Sequence, residues 1–182
     1  MGFLHRNIRL PAAKYRGVQW YFVTLCCAGR RRVFADEKRA TWIVDELRRH
    51  ATSHRFAVHA YCAMPDHLHA LVMGLDATSD LLTFLKNLKQ KTAYEFHSEF
   101  DRSLWQKKFY DHILRREDAV ERVAAYIWMN PVRKGLCKDP REYAFSGSFV
   151  LDWKRDGKPV ETWVPPWKEK APATKATTGR QE

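Results

Sequence analysis

Two histidines, His67 and His69, flank one leucine in the run Met64-Pro65-Asp66-His67-Leu68-His69-Ala70-Leu71-Val72. Side chains of a strand alternate faces, so both imidazoles point the same way, one pleat apart, and Leu68, Ala70 and Val72 point the other way. That spacing lets two imidazoles share one metal ion, imidazole being a common ligand. It suits two hydrogen-bonded, partly exposed histidines equally well. A closed structural zinc site needs two more Cys or His ligands at recognisable spacing, and none is seen. Barrel hydrolases with a His-x-His pair run to about 250 residues, longer than these 182.

A second group of chemical interest follows later in the chain. Arg122, Tyr126 and Asn130 recur at four-residue intervals, which puts them on one helical face. A tyrosine nucleophile beside an amide oxygen that completes a metal site is a coherent arrangement. A core tyrosine and a helix-capping asparagine are the plainer readings of the same residues. Tyr110, in the same segment as His112, and Tyr61, in the strand before the histidines, compete for the nucleophile's role.

The elements that must position these groups are legible from periodicity. Gln19 to Cys27 alternates with apolar residues on both faces, the pattern of an interior strand. A cationic loop, Gly29-Arg30-Arg31-Arg32, leads to a helix capped by Asp36, with Ala40, Ile43, Val44, Leu47 and Ala51 as its apolar stripe. Phe56 to Ala63 and His67 to Met73 form a hairpin around Pro65, which has no N–H to donate to a ladder. Asp80 to Phe100 is a second helix, and Lys108 to Arg115 a fourth strand. The order strand, helix, strand, strand, helix, strand predicts an α+β, ferredoxin-like split βαβ fold: a four-stranded antiparallel sheet, two helices on one face, and an open second face of the kind that binds nucleic acid. A third helix, from Glu117 to Met129, carries Tyr126 and stops at Asn130-Pro131.

The chain carries 32 Lys and Arg against 21 Asp and Glu, a net charge of +11, and 45% hydrophobic residues. One globular domain with a polyanionic partner, nucleic acid first, is the expectation. Residues 1–17 read as a basic arm with His5, Arg6, Arg9, Lys14 and Arg16. Cys26, Cys27, Cys62 and Cys137 form no C-x-x-C pair and suit a reducing cytoplasm. No leader segment, myristoylation signal or membrane-length apolar run is seen. Residues 1–150 form the expected domain. Residues 151–182 form an extension, disordered from about 168, with Trp153, Trp163 and Trp167 as anchors.

Pro65-Asp66-His67-Leu68-His69, combined with Ala125-Tyr126-Ile127-Trp128-Met129-Asn130-Pro131-Val132-Arg133-Lys134-Gly135-Leu136, resembles the single-tyrosine HUH transposases, and among them the REP-associated tyrosine transposases. Tyr21-Phe22-Val23-Thr24 and the segment Trp105-Gln106 with Tyr110-Asp111-His112 extend the resemblance over residues 15–150. It implies a metal-dependent single-stranded DNA endonuclease and strand transferase acting on hairpin-containing DNA through a 5′-phosphotyrosine. By position, Tyr126 matches the nucleophile, His67 and His69 match the metal-binding histidines, and Asn130 matches the polar third ligand that is a glutamine in insertion-sequence relatives. Mg²⁺ or Mn²⁺ is the implied cofactor. His112 matches a recurrent histidine without a clear role, and Arg122 stands as a supporting residue. Arg16, Arg30, Arg31, Arg32, Lys86, Lys89, Arg133 and Lys134 are the expected contacts to the DNA backbone. The resemblance leaves a monomer or a homodimer open, and the segment from Trp153 to Trp167 favours a monomer. A non-catalytic nucleic-acid-binding domain or a domesticated, inactive transposase is the alternative.

Overall fold

Alternation of side chains along β2 (Phe56–Met64) and β3 (His67–Gly74) sends one set of residues to each face of a hairpin closed at Pro65-Asp66. The computed structural model describes residues 11–115, 119–155, 159 and 163–164. β3 pairs on its other side with β1 (Trp20–Cys26), and β1 in turn with β4 (Tyr110–Ile113). A two-residue strand, β5 (Ser146–Gly147), adds to the outer edge of β2. The sheet order is β4-β1-β3-β2-β5 with every pair antiparallel. The first four strands and their two helices reproduce the expected ferredoxin-like arrangement.

The helices α1 (Glu37–Ser53) and α2 (Leu81–Phe100) cover one face. Asp36 and Asp80 cap them by accepting from the backbone N–H of Arg39 and Thr83, each at 3.0 Å. Ile43 and Leu47 of α1 and Phe84, Leu85 and Leu88 of α2 bury against Tyr21, Val23, Leu25, Leu68, Ala70 and Val72 of the sheet. Trp105 joins this core and donates its indole N–H to Thr92 at 2.8 Å, which anchors the segment entering β4 onto α2.

The second face is not open, contrary to the expectation from the element order. α3 (Val120–Trp128) lies across it, and Val123, Ala124, Tyr126 and Ile127 form a second core with Phe22, Ala60, Cys62, Met64 and Leu71. Trp153 stacks flat on Trp128 at 4.4 Å and 5°, and Trp163 packs on Phe22 at 5.5 Å. A helix with six consecutive buried residues, Val123 to Trp128, needs an apolar surface on which to bury them, and this face offers one.

Two boundaries also differ. β4 is shorter than Lys108–Arg115, because Gln106 bonds to Cys26 and pairing resumes only at Tyr110, leaving residues 107–109 outside the ladder. The helical path does not end at Asn130-Pro131. Met129 interrupts it, and a further turn, α4 (Asn130–Arg133), follows with Pro131 in its first turn, where a missing N–H costs nothing. The expected helix start at Glu117, the arm residues His5, Arg6 and Arg9, Trp167, and the segment beyond 168 lie outside the described residues. Among the described residues no helix is long and apolar enough to cross a membrane.

Candidate active site

His67 and His69 leave β3 on the α3 side of the sheet, while Leu68 and Ala70 enter the α1–α2 core. Both imidazoles are buried, at 8% and 6% exposure. Their Nε2 atoms face each other at 3.0 Å. Each Nδ1 is tied off. His67 Nδ1 lies 2.6 Å from Asp66 Oδ1, and His69 Nδ1 lies 2.8 Å from Thr24 Oγ1. A carboxylate only accepts, so His67 donates from Nδ1 and turns an Nε2 lone pair toward His69. Burial pushes the His67 imidazole below its ordinary pKa of 6.5, and the hydrogen bond and charge of Asp66 oppose this without overcoming it. Burial alone would raise the Asp66 carboxyl, but the His67 hydrogen bond and the charges of His67 and Arg30 hold it below the usual range.

This donor set fits a cation. Two donors about 2.1 Å from one ion and at right angles stand about 3.0 Å apart, which is the spacing found here. Hydrogen-bonded outer partners such as Asp66 and Thr24 are what orient ligating imidazoles. Among the described residues no three His, Cys, Asp or Glu side chains converge. Remaining ligand positions therefore fall to amide, water or substrate oxygens.

Tyr126 lies on α3, 4% exposed. Its ring centroid is 6.3 Å from that of His69, 6.1 Å from Phe22 and 5.1 Å from Trp163. The guanidinium of Arg133 sits 4.1 Å from the same ring centre and donates to the Tyr126 carbonyl at 2.9 Å. Asn130 is buried, and its amide nitrogen donates to the carbonyls of Tyr126 and Ile127 at 3.1 and 3.3 Å. That commits Nδ2 to the helix end and leaves Oδ1 as the atom with ligand capacity. The one-turn α4 is what brings Arg133 back beneath Tyr126.

The other expected site residues divide by place. Tyr110 and His112 stand on β4 opposite Thr24 and Phe22. The Tyr110 ring is 6.2 Å from Phe22, and that of His112 is 6.3 Å from Trp163. Tyr61 belongs to the core under α1 and α2, on the face away from the histidines. Arg30 pairs with Asp66 at 3.3 Å, beside the histidine pair. Arg31 donates to the carbonyls of Ala28 and Ser103, and Arg32 is exposed. Arg16 pairs with Asp80 at 3.1 Å, next to the start of β1. Lys86 and Lys89 lie on α2, across the sheet from Tyr126, and Lys89 donates to the carbonyls of Gln106 and Lys107. Lys134 and Arg122 are exposed, Arg122 one turn before the buried Tyr126.

Sequence reasoning gave no site role to Thr24, Phe22 or Trp163, treated Asp66 only as part of a motif, and assigned Arg133 to DNA alone. A Pro-Asp-His run carries a usable signal for Asp66, because the residue before a strand histidine is within reach of its Nδ1. Thr24 carries none without the β1–β3 register that sets it opposite His69.

Residues 17–130 match the family model described as "Transposase IS200 like". The chain is 24% identical to the REP-associated tyrosine transposase of Escherichia coli (strain K12) over 109 residues, 56% of this chain and 64% of that protein. A Haemophilus influenzae relative is 28% identical over 120 residues, 59% of this chain and 66% of its own length. The chain thus spans just under two thirds of the length of these relatives. A solved structure of a REP-associated tyrosine transposase bound to a REP hairpin superposes with a TM-score of 0.66 over 91% of this chain and 94% of that one. At 19% identity, that likeness is one of fold.

Proposed function

The chain belongs to the IS200-like transposase family, and from that membership we propose that it cleaves and rejoins single-stranded DNA at hairpin-bearing sites, with Tyr126 as nucleophile. The observation that carries this reading is the packing of the Tyr126 ring against His69, whose Nε2 faces that of His67 at 3.0 Å. A hairpin substrate is supported by the relative solved with a REP hairpin.

In the reaction the phenolic oxygen of Tyr126 attacks the scissile phosphorus. A phosphorus–oxygen bond to tyrosine forms and the bond to the 3′ oxygen breaks. The phenolic proton is released, and the departing 3′ oxygen takes one up. The products are a 5′-phosphotyrosine and a free 3′-OH, and attack by a 3′-OH reverses the step without an external energy source. Mg²⁺ or Mn²⁺, held by His67, His69 and Asn130 Oδ1, would act as a Lewis acid on a phosphate oxygen. Asp66 and Thr24 fix the imidazole orientations that such binding needs. Arg133 clamps the turn that carries the nucleophile and, with Arg30, Arg32 and Lys134, faces the DNA backbone.

A 3′-labelled hairpin oligonucleotide should form a slow-migrating covalent adduct with the protein on a denaturing gel, and Tyr126→Phe should abolish it. An adduct that survives Tyr126→Phe but not Tyr110→Phe would transfer the role to Tyr110. A non-catalytic DNA-binding role is the second reading, favoured by the 4% exposure of Tyr126. Absence of any adduct with intact DNA binding would select it.

A further inference from the structure

Where α1 runs beside α2, the half-buried ring of Trp42 is shared by two hollows of about 470 Å³ each. One lies between the helices, over Phe96, and is walled by Asp36, Glu95 and Glu99. The other follows α1 past Glu37 and Asp45. Five carboxylates thus meet two cations, Lys38 and Arg39, on a chain whose net charge is +11.

Arg39 is already engaged, by Asp36 at 3.9 Å, by Glu99 at 3.4 Å and by the face of Phe100 at 4.3 Å. Glu95 holds Lys91 through Oε1 at 2.9 Å, while its Oε2 is buried with no hydrogen-bond partner. Glu37 and Asp45 are exposed and make no ion pair among the described residues. Asp36 and Glu37 stand at the start of α1, where negative charge is favourable. Asp45, in the middle of α1, has no such reason, and Glu99, in the last turn of α2, opposes the helix dipole.

We propose that this face docks an extended, basic segment of a partner protein, with its cationic side chains on Glu37, Asp45 and Glu95 Oε2 and one of them lying over Trp42. Carboxylates repel phosphates, so the surface does not suit nucleic acid. Eight residues of helix put Glu37 and Asp45 about 12 Å apart. Four residues of extended chain advance about 13 Å with side chains on one side, so a single peptide spans both. Tryptophan is the best aromatic partner for a guanidinium or ammonium and a common interface anchor. A buried acceptor without a donor is costly, and an incoming cation relieves it. The face lies across the sheet from Tyr126, so a docked partner leaves the α3 side uncovered, and docking is independent of whether Tyr126 cleaves DNA.

The test uses the full chain and a fluorescent twelve-residue peptide with arginine at every second position and serine between. Anisotropy titration at about 0.15 M salt should give a Kd below about 100 μM. Glu37→Lys/Asp45→Lys should weaken binding about tenfold. Trp42→Leu, which keeps apolar bulk, should weaken it about threefold. The control Glu121→Lys/Asp152→Lys, with the same charge change at exposed positions elsewhere, should change it less than about twofold. No binding by the unaltered chain, or equal losses in the Glu37/Asp45 and control variants, would overturn the proposal. Spermidine binding as tightly as the peptide and lost in Glu37→Lys/Asp45→Lys would also overturn it, marking a site for small amines. So would a dimer in sedimentation that Glu37→Lys/Asp45→Lys dissolves, since the occupant is then a second copy of this chain.

Discussion

The two imidazoles at the centre of the site are specified less by their own neighbours in sequence than by what holds their far nitrogens. Asp66 fixes His67 and Thr24 fixes His69. Removing such an outer partner typically costs 10–100-fold in metal affinity. Asp66→Ala should therefore weaken Mn²⁺ binding by about that factor in calorimetric titration, with the helical content of the chain unchanged. Acid should act on folding through the same chemistry. Burial holds His59 and His67 below the ordinary value of 6.5. Both stay neutral in the folded chain while the unfolded chain takes up protons near that value. Their contribution to stability is complete above 6.5 and is lost as the pH falls below it toward the folded values. Denaturant midpoints should be level from about pH 8 to 7 and decline below about 6.5. His59→Gln should shallow that decline.

At the scale of elements, much was legible. The β2–β3 hairpin and the Asp36 cap were readable because a period of two, a proline without an N–H and an aspartate before an apolar stripe each have one cheap local solution. Asp36→Ala should lower unfolding free energy by about 1 kcal/mol in urea and leave adduct formation by folded protein unchanged, since α1 lies across the sheet from Tyr126. What escaped the sequence depends on which surfaces meet. That α3 buries six successive residues says it needs a partner, but not that the partner is the face a ferredoxin-like order leaves free. The α4 turn escaped because a proline that ends one helix is equally at home in the first turn of the next. β5 escaped because Ser146-Gly147 carries no strand pattern. Gly147 is there because a Cβ at that position would fall about 3 Å or less from the ring and hydroxyl of Tyr61.

For the whole molecule, the sheet divides two cores with different tasks. One core joins α1 and α2 to the sheet, and the other joins the tyrosine helix and two tryptophans to it. The pair His67 and His69 sits on the α3 side because β3 gives alternate residues to each core. Net charge of +11 acts over the whole surface and sets the expectation of steeply salt-dependent DNA binding. Trp163 covers the Tyr126 ring at 5.1 Å, so a phosphate reaching that ring must first displace the indole. Trp163→Ala should accelerate adduct formation without changing which oligonucleotide is chosen, as read by time courses on denaturing gels.

The 4% exposure of Tyr126 has a kinetic meaning. On the proposed reading, attack on DNA by Tyr126 waits on an opening equilibrium, and the observed rate is the chemical rate multiplied by the open fraction. Each 1.4 kcal/mol of closed-state preference slows the reaction about tenfold. Opening of this kind is visible in native-state hydrogen exchange as earlier loss of protection in α3 than in β1 and β3, which bury residues in both cores. The proposed nucleophile is thereby guarded by the stability of the layer it belongs to, and on that reading any change that loosens the layer also sets the speed of the chemistry.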